Sequence, residues 1–113
     1  MEPIIKHVTP DKVFSLANEV TLTPAQVTSK TLVQNPSVGL TLFAFDEGGE
    51  ISTHEAGGDA LVTVLEGTGE LTIAGKKHLL KAGESIIMPA KVPHSVFAPE
   101  AFKMSLLVVF PAS

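Results

Sequence analysis

The chain of 113 residues contains no cysteine, so no disulfide scaffold, thiol nucleophile or thiolate metal site can be built from it. It also contains no arginine; its eight basic residues are all lysine, set against twelve acidic ones for a formal charge of −4. A nucleic-acid binder shows a basic face, and planar phosphate recognition favours arginine, so nucleic acid is excluded as the expected partner. Long hydrophobic runs are missing too. The longest, Leu106-Leu107-Val108-Val109-Phe110, stops at Pro111 and is far too short to cross a bilayer. The opening Met1-Glu2-Pro3-Ile4-Ile5-Lys6-His7 lacks the basic-then-apolar pattern of a signal peptide, which makes the cytoplasm the expected location and a membrane an unexpected partner. Disorder is excluded by the 44% of hydrophobic residues, enough for a core, and the length fits one domain.

What is present is β-like. Valine, isoleucine, threonine and phenylalanine recur in short runs, punctuated by nine glycines and eight prolines. Strands are expected over 26–34, 40–45, 51–54 and 60–65, then 70–74 and 78–81 as the arms of a hairpin turning at Ala74-Gly75-Lys76. Further strands follow at 85–88, from about Val92-Pro93-His94 onward, and over 102–110. Only the stretch 9–20 offers helical turns, and weakly. The pattern predicts an all-β domain, a sandwich or closed barrel.

Several strands are apolar on both faces, notably Leu40-Thr41-Leu42-Phe43-Ala44-Phe45 and 106–110. Such a sheet is covered twice, inside by its partner sheet and outside by something else. A second subunit is the expected cover, giving a homodimer, although N-terminal residues folded over the sheet would produce the same pattern.

Two histidines stand at structured positions: His54 at the end of a short strand, and His94 directly after the stiff turn Pro89-Ala90-Lys91-Val92-Pro93. Taken singly, each is more often hydrogen-bonded to backbone than used as a ligand. Their surroundings, however, resemble the two motifs of the cupin superfamily, G-x5-H-x-H-x3,4-E-x6-G and G-x5-P-x-G-x2-H-x3-N. Gly48, His54 and Gly67 match anchors of the first, and Gly83, Pro89 and His94 match anchors of the second. The resemblance spans residues 40–110 and implies a jelly-roll barrel, also called a double-stranded β-helix. Residues 36–113 would form the barrel and 1–35 an N-terminal extension with the first strand or strands, one domain overall.

The departures from the motifs bear on function. The resemblance implies a metal held by two histidines and a glutamate from the first motif and one histidine from the second. Here Ala56 stands at the second histidine position, Ala60 at the glutamate, Lys91 at the middle glycine and Ala98 at the closing asparagine. Of the four ligands only His54 and His94 remain, whereas defined metal sites have three or four protein ligands. Asp59 is one residue from the glutamate position, and a bulge at Gly57-Gly58 would turn it inward; its simpler reading is a turn residue. Strand alternation points Glu55 away from the pocket, puts Ser52 on the face of His54, and sets His78 beside Leu80 as a half-buried strand histidine.

With His54 and His94 pointing inward, the same faces carry Ala60, Val62 and Val64, then Val96 and Ala98, with Ile73, Met104 and Leu106 as neighbours; Met88 is read as core. The expected site is therefore a small, mostly apolar pocket with two imidazoles, binding a small molecule through His54, His94, Val62, Val64, Val96, Ala98 and Met104. No tightly bound cofactor is expected. A divalent zinc, manganese, iron, nickel or copper would sit at low occupancy on His54 and His94, with Asp59 as the weakest addition. The alternative is a metal-dependent enzyme of dioxygenase, isomerase or decarboxylase type working from that reduced site. Metal-free acid–base catalysis by the histidines ranks third, because the expected pocket holds no lysine or arginine to stabilise an oxyanion.

Overall fold

The computed structural model describes residues 2–112. After an irregular N-terminal stretch and one 3-10 turn (Leu16–Glu19), nine strands follow: β1 (Val27–Gln34), β2 (Val38–Phe45), β3 (Glu50–His54), β4 (Asp59–Glu66), β5 (Thr68–Ile73), β6 (Lys76–Lys81), β7 (Ser85–Met88), β8 (His94–Phe97) and β9 (Phe102–Val109). All strand pairs are antiparallel. They form a five-stranded sheet in the order β1-β2-β9-β4-β7 and a four-stranded sheet in the order β3-β8-β5-β6. The expected all-β jelly roll is the fold found. Expected strand limits agree to within two residues at most ends; the stretch 9–20 supplies only the 3-10 turn.

Turn residues explain the reversals. Ala74 (φ 51°) and Gly75 (φ 82°) both take the left-handed conformation, so β5 and β6 are joined by a two-residue turn whose twist matches the strands. The stretch Gly67-Thr68-Gly69 makes room for an aromatic side chain. Gly67 has φ 73°, and a Cβ on Gly69 would lie 2.4 Å from the Phe102 ring. With nothing in the way, Phe102 lies flat against Phe45, the ring centroids 4.7 Å apart and the planes within 5°.

Between the sheets lies the main core, which holds Phe45, Val62, Val64, Leu71, Val96, Phe102 and Met104. A second cluster lies on the outer face of the larger sheet, where Val33, Leu42 and Ala44 pack with Val20, Leu16 and Val8 of the N-terminal stretch. Part of the second apolar face is thus covered by the chain itself, through the alternative cover described above. β1 pairs with β2 from Val27↔Phe45 to Gln34↔Gly39, so this strand of the N-terminal extension is an integral edge of the larger sheet.

Candidate functional site

β3 and β8 pair in the smaller sheet and bring His54 opposite His94. Each ring is held by a backbone carbonyl two residues earlier in the chain. Nδ1 of His54 donates to the Ser52 carbonyl at 2.9 Å, and Nδ1 of His94 donates to the Val92 carbonyl at 3.2 Å. A carbonyl oxygen only accepts, so both Nδ1 atoms carry their hydrogens and both Nε2 atoms are turned toward each other, 3.0 Å apart. Two bare lone pairs at that distance repel; the contact is favourable when one proton, or another electropositive group, lies between them. His54 is exposed and stands at the mouth, while His94 is buried at 3% exposure. Burial and the neighbouring His54 charge hold the His94 pKa below the usual histidine value, against smaller opposing effects of the Val92 carbonyl and Glu55. Of the two rings, His94 is the one whose charged form the surroundings disfavour.

The pair opens into a cavity of about 280 Å³ lined otherwise by Phe43, Ile51, Met88, Val96, Met104 and Leu106. Both sheets contribute: Ile51, Val96 and the two histidines from the smaller, Phe43, Met88, Met104 and Leu106 from the larger. Of the residues expected at the site, His54, His94, Val96 and Met104 come together here, with Leu106 from the expected neighbours. Val62 and Val64 do not line the cavity; both are fully buried in the core cluster with Phe45, Leu71 and Phe102. Ala98 lies beyond the far end of β8, where its backbone exchanges hydrogen bonds with Gly48 and Gly49, four residues away from His94. His78 is half-buried on β6, opposite Leu71, and takes no part in this cavity.

Three lining residues were not expected there: Ile51, Phe43 and Met88. Ile51 enters because β3 is bulged: Ile51 faces Val96 and His54 faces His94, so Ser52 and Thr53 of β3 together run against Ser95 of β8. That extra residue brings Ile51, not Ser52, onto the cavity with His54, which corrects the simple alternation. Phe43 alternates with the core residue Phe45 on a strand apolar on both faces, and Met88 follows the β4–β7 register opposite Ala60.

Two imidazole nitrogens 3.0 Å apart have the spacing of neighbouring ligands on one ion with bonds of about 2.0–2.1 Å. No third donor joins them: among the described residues no group of three or more His, Asp or Glu side chains is placed to hold an ion. Asp59 is engaged elsewhere, its Oδ1 accepting the Ala90 N–H at 2.8 Å, in an outer groove with Lys91 and Phe110. Gly58, on which an inward turn of Asp59 would depend, is pressed against the Val109 carbonyl, where a Cβ would come within 2.4 Å. Two imidazoles are fewer than the three or four protein ligands of a defined metal site. Lys91 has φ 63°, the left-handed conformation that accounts for a glycine in the motif at this position.

Two antiparallel sheets closed around an internal cavity, with a histidine from each of two paired strands among its lining residues, define a jelly-roll barrel with an inward-facing site. The profile described as "Cupin domain" matches residues 41–110, well over half of the sequence. The chain belongs to the cupin family. It is similar over 99% of its length to 98% of a conserved protein of unknown function from Streptococcus pyogenes, with 41% identity and a TM-score of 0.96. A cupin superfamily protein from Desulfitobacterium hafniense is 27% identical over 95% of this chain and 98% of its own, with a TM-score of 0.89. A glycine-to-alanine mutant of salicylate 1,2-dioxygenase from Pseudoaminobacter salicylatoxidans shares the fold, at 22% identity and a TM-score of 0.69 over 79% of this chain and 28% of the enzyme. No curated protein matches the chain.

Proposed function

We propose that this cupin is a cytoplasmic, homodimeric small-molecule-binding protein whose ligand fills the cavity between the two sheets and is anchored on His54 and His94. The barrel of residues 36–113 holds the ligand, and residues 1–35 are the extension that carries the first strand. The observation supporting this reading most directly is the make-up of the cavity: six apolar side chains surround one polar feature, the facing Nε2 atoms. Pockets that take small molecules have that composition, in volumes of about 300–1,000 Å³, and about 280 Å³ lies just below that range, which suits a compact ligand. The ligand is compact and largely apolar, and carries one hydroxyl or carboxyl head. A hydroxyl donates to an Nε2 lone pair; a carboxylate accepts from the pair when it holds a proton.

A second reading rests on the same 3.0 Å convergence: a reduced metal site on His54 and His94 serving a dioxygenase, isomerase or decarboxylase reaction. Ala56 and Ala60, which offer methyl groups where the family motif has ligands, favour the binding protein with a weak or absent site. Elemental analysis of protein purified without added metal separates the two. Well under one equivalent of zinc, iron, manganese, nickel or copper is expected, lost to a mild chelator and raised in the Ala56→His/Ala60→Glu variant. Stoichiometric metal that survives dialysis and disappears in His94→Ala would overturn the binding-protein reading in favour of the enzyme.

A further inference from the structure

The imidazole cavity continues into a second one. Leu106 lines both, and in the second, of about 210 Å³, it is joined by Thr31, Gln34, Gly39, Thr41 and Val108. The strand ladder explains the continuity. Phe43, Thr41 and Gly39 alternate along one face of β2, and their partners Met104, Leu106 and Val108 share that face on β9. The first cavity takes Phe43, Met104 and Leu106 from these two rows; the second takes the residues that follow. Thr31 of β1 stands opposite Thr41, and Gln34 opposite Gly39, which carries the face to the edge of the sheet. Burial falls along the way. Phe45, Phe102 and Met104 are buried, Leu106, Val108 and Thr41 half-buried, and Thr31 and Gln34 exposed.

We propose that the two cavities form one site, and that its ligand carries a second, uncharged hydroxyl end: head on the imidazoles, aliphatic middle over Leu106, hydroxyl on Thr31, Thr41 and Gln34. The proposal rests on the small-molecule reading above and adds the far end of the ligand. The Thr31 and Thr41 hydroxyls lie 3.1 Å apart, so one donates to the other and the pair keeps one hydroxyl hydrogen beyond its own contact. The Gln34 amide both donates and accepts. No ionisable side chain lines this end, so a charged group would find no counter-ion there, whereas a hydroxyl finds partners for its hydrogen and its lone pairs. Gly39 leaves room for it. This glycine has no positive φ to require it, and a Cβ there would meet nothing closer than 4.0 Å. Glycine inside a strand marks a place where another group comes close to the backbone. Joined, the two cavities enter the volume range of about 300–1,000 Å³ that the first falls just short of.

Isothermal titration calorimetry of the full chain tests this with two probe series: straight-chain carboxylic acids of four to eight carbons, and the same acids bearing a terminal hydroxyl. The plain acids are expected to bind, and to bind more weakly in His54→Ala, which reads the anchor alone. At one chain length the hydroxy acid is expected to bind about 2–10-fold tighter than its plain partner, the worth of one added hydrogen bond. That gain is expected to vanish in Thr31→Val/Thr41→Val, which keeps the β-branched shape and loses the hydroxyls, with plain-acid affinity unchanged. Failure of both series to bind, or binding indifferent to His54→Ala, would sink the anchor reading and this inference with it. Plain acids that bind through His54, with a hydroxyl that adds nothing at any length or adds as much in the valine variant, would leave the anchor standing. That result would overturn the second cavity as part of the site.

Discussion

His94 couples the site to the stability of the fold. Its pKa is lowered in the folded chain, by burial first and by the His54 charge second, while in the unfolded chain it titrates near the ordinary value of about 6.5. A group that resists protonation when folded and accepts it when unfolded takes stability away as pH falls. Its contribution is constant above about pH 6.5 and declines below it, until the folded-state pKa is passed. Urea midpoints measured from pH 8 down to pH 5 are expected to drop below about pH 6.5, and the drop is expected to be smaller in His94→Gln. An equal drop in both proteins would show that other groups carry the acid sensitivity. At the same scale, the two rings are restrained alike: each is tied through Nδ1 to a carbonyl two residues earlier in the chain, so their orientation is set locally and does not wait for a ligand.

Strands set the rest of the site, and glycines decide where they may approach. Gly69 lies beneath the Phe102 ring, and any Cβ there must push the ring off Phe45. Gly69→Ala is expected to cost about 1–3 kcal/mol, the usual range for overpacking a close-fitting core, measured as a lower denaturant midpoint with unchanged slope. A neutral substitution would mean that the Phe102 stack gives way freely. Most of this architecture was legible in the residues, because period-two alternation closed by Gly and Pro marks strands and turns whatever they pack against; 85–88 was expected as a strand and is one. The pairing of His54 with His94 followed from a motif resemblance, since the two lie forty residues apart. Ile51 was not legible. The bulge that brings it into the cavity lies within Glu50-Ile51-Ser52-Thr53-His54, which contains neither glycine nor proline, so nothing local signals the change of face. Phe43 escaped for a different reason: on a strand apolar on both faces, alternation carries no information about which side is inside.

For the molecule as a whole, no helix among the described residues is long and apolar enough to cross a membrane. The cavity lies between the two sheets, and residues of both line it. Its occupant would touch Ile51 and Val96 on one side and Phe43 and Met104 on the other, completing a core that the chain's own side chains leave unfilled. Whatever binds only the folded chain shifts the unfolding equilibrium by mass action, by about 2.7 kcal/mol at a hundredfold excess over Kd. Melting curves recorded against a panel of small hydroxy and carboxy compounds are therefore expected to single out binders by a rise of several degrees, reduced in His54→Ala. A panel in which every rise is the same in His54→Ala as in the unmodified protein would take the imidazoles out of recognition. The position of the cavity would make the fold its own detector: a ligand here would work as a removable piece of hydrophobic core, and heat resistance alone would report occupancy.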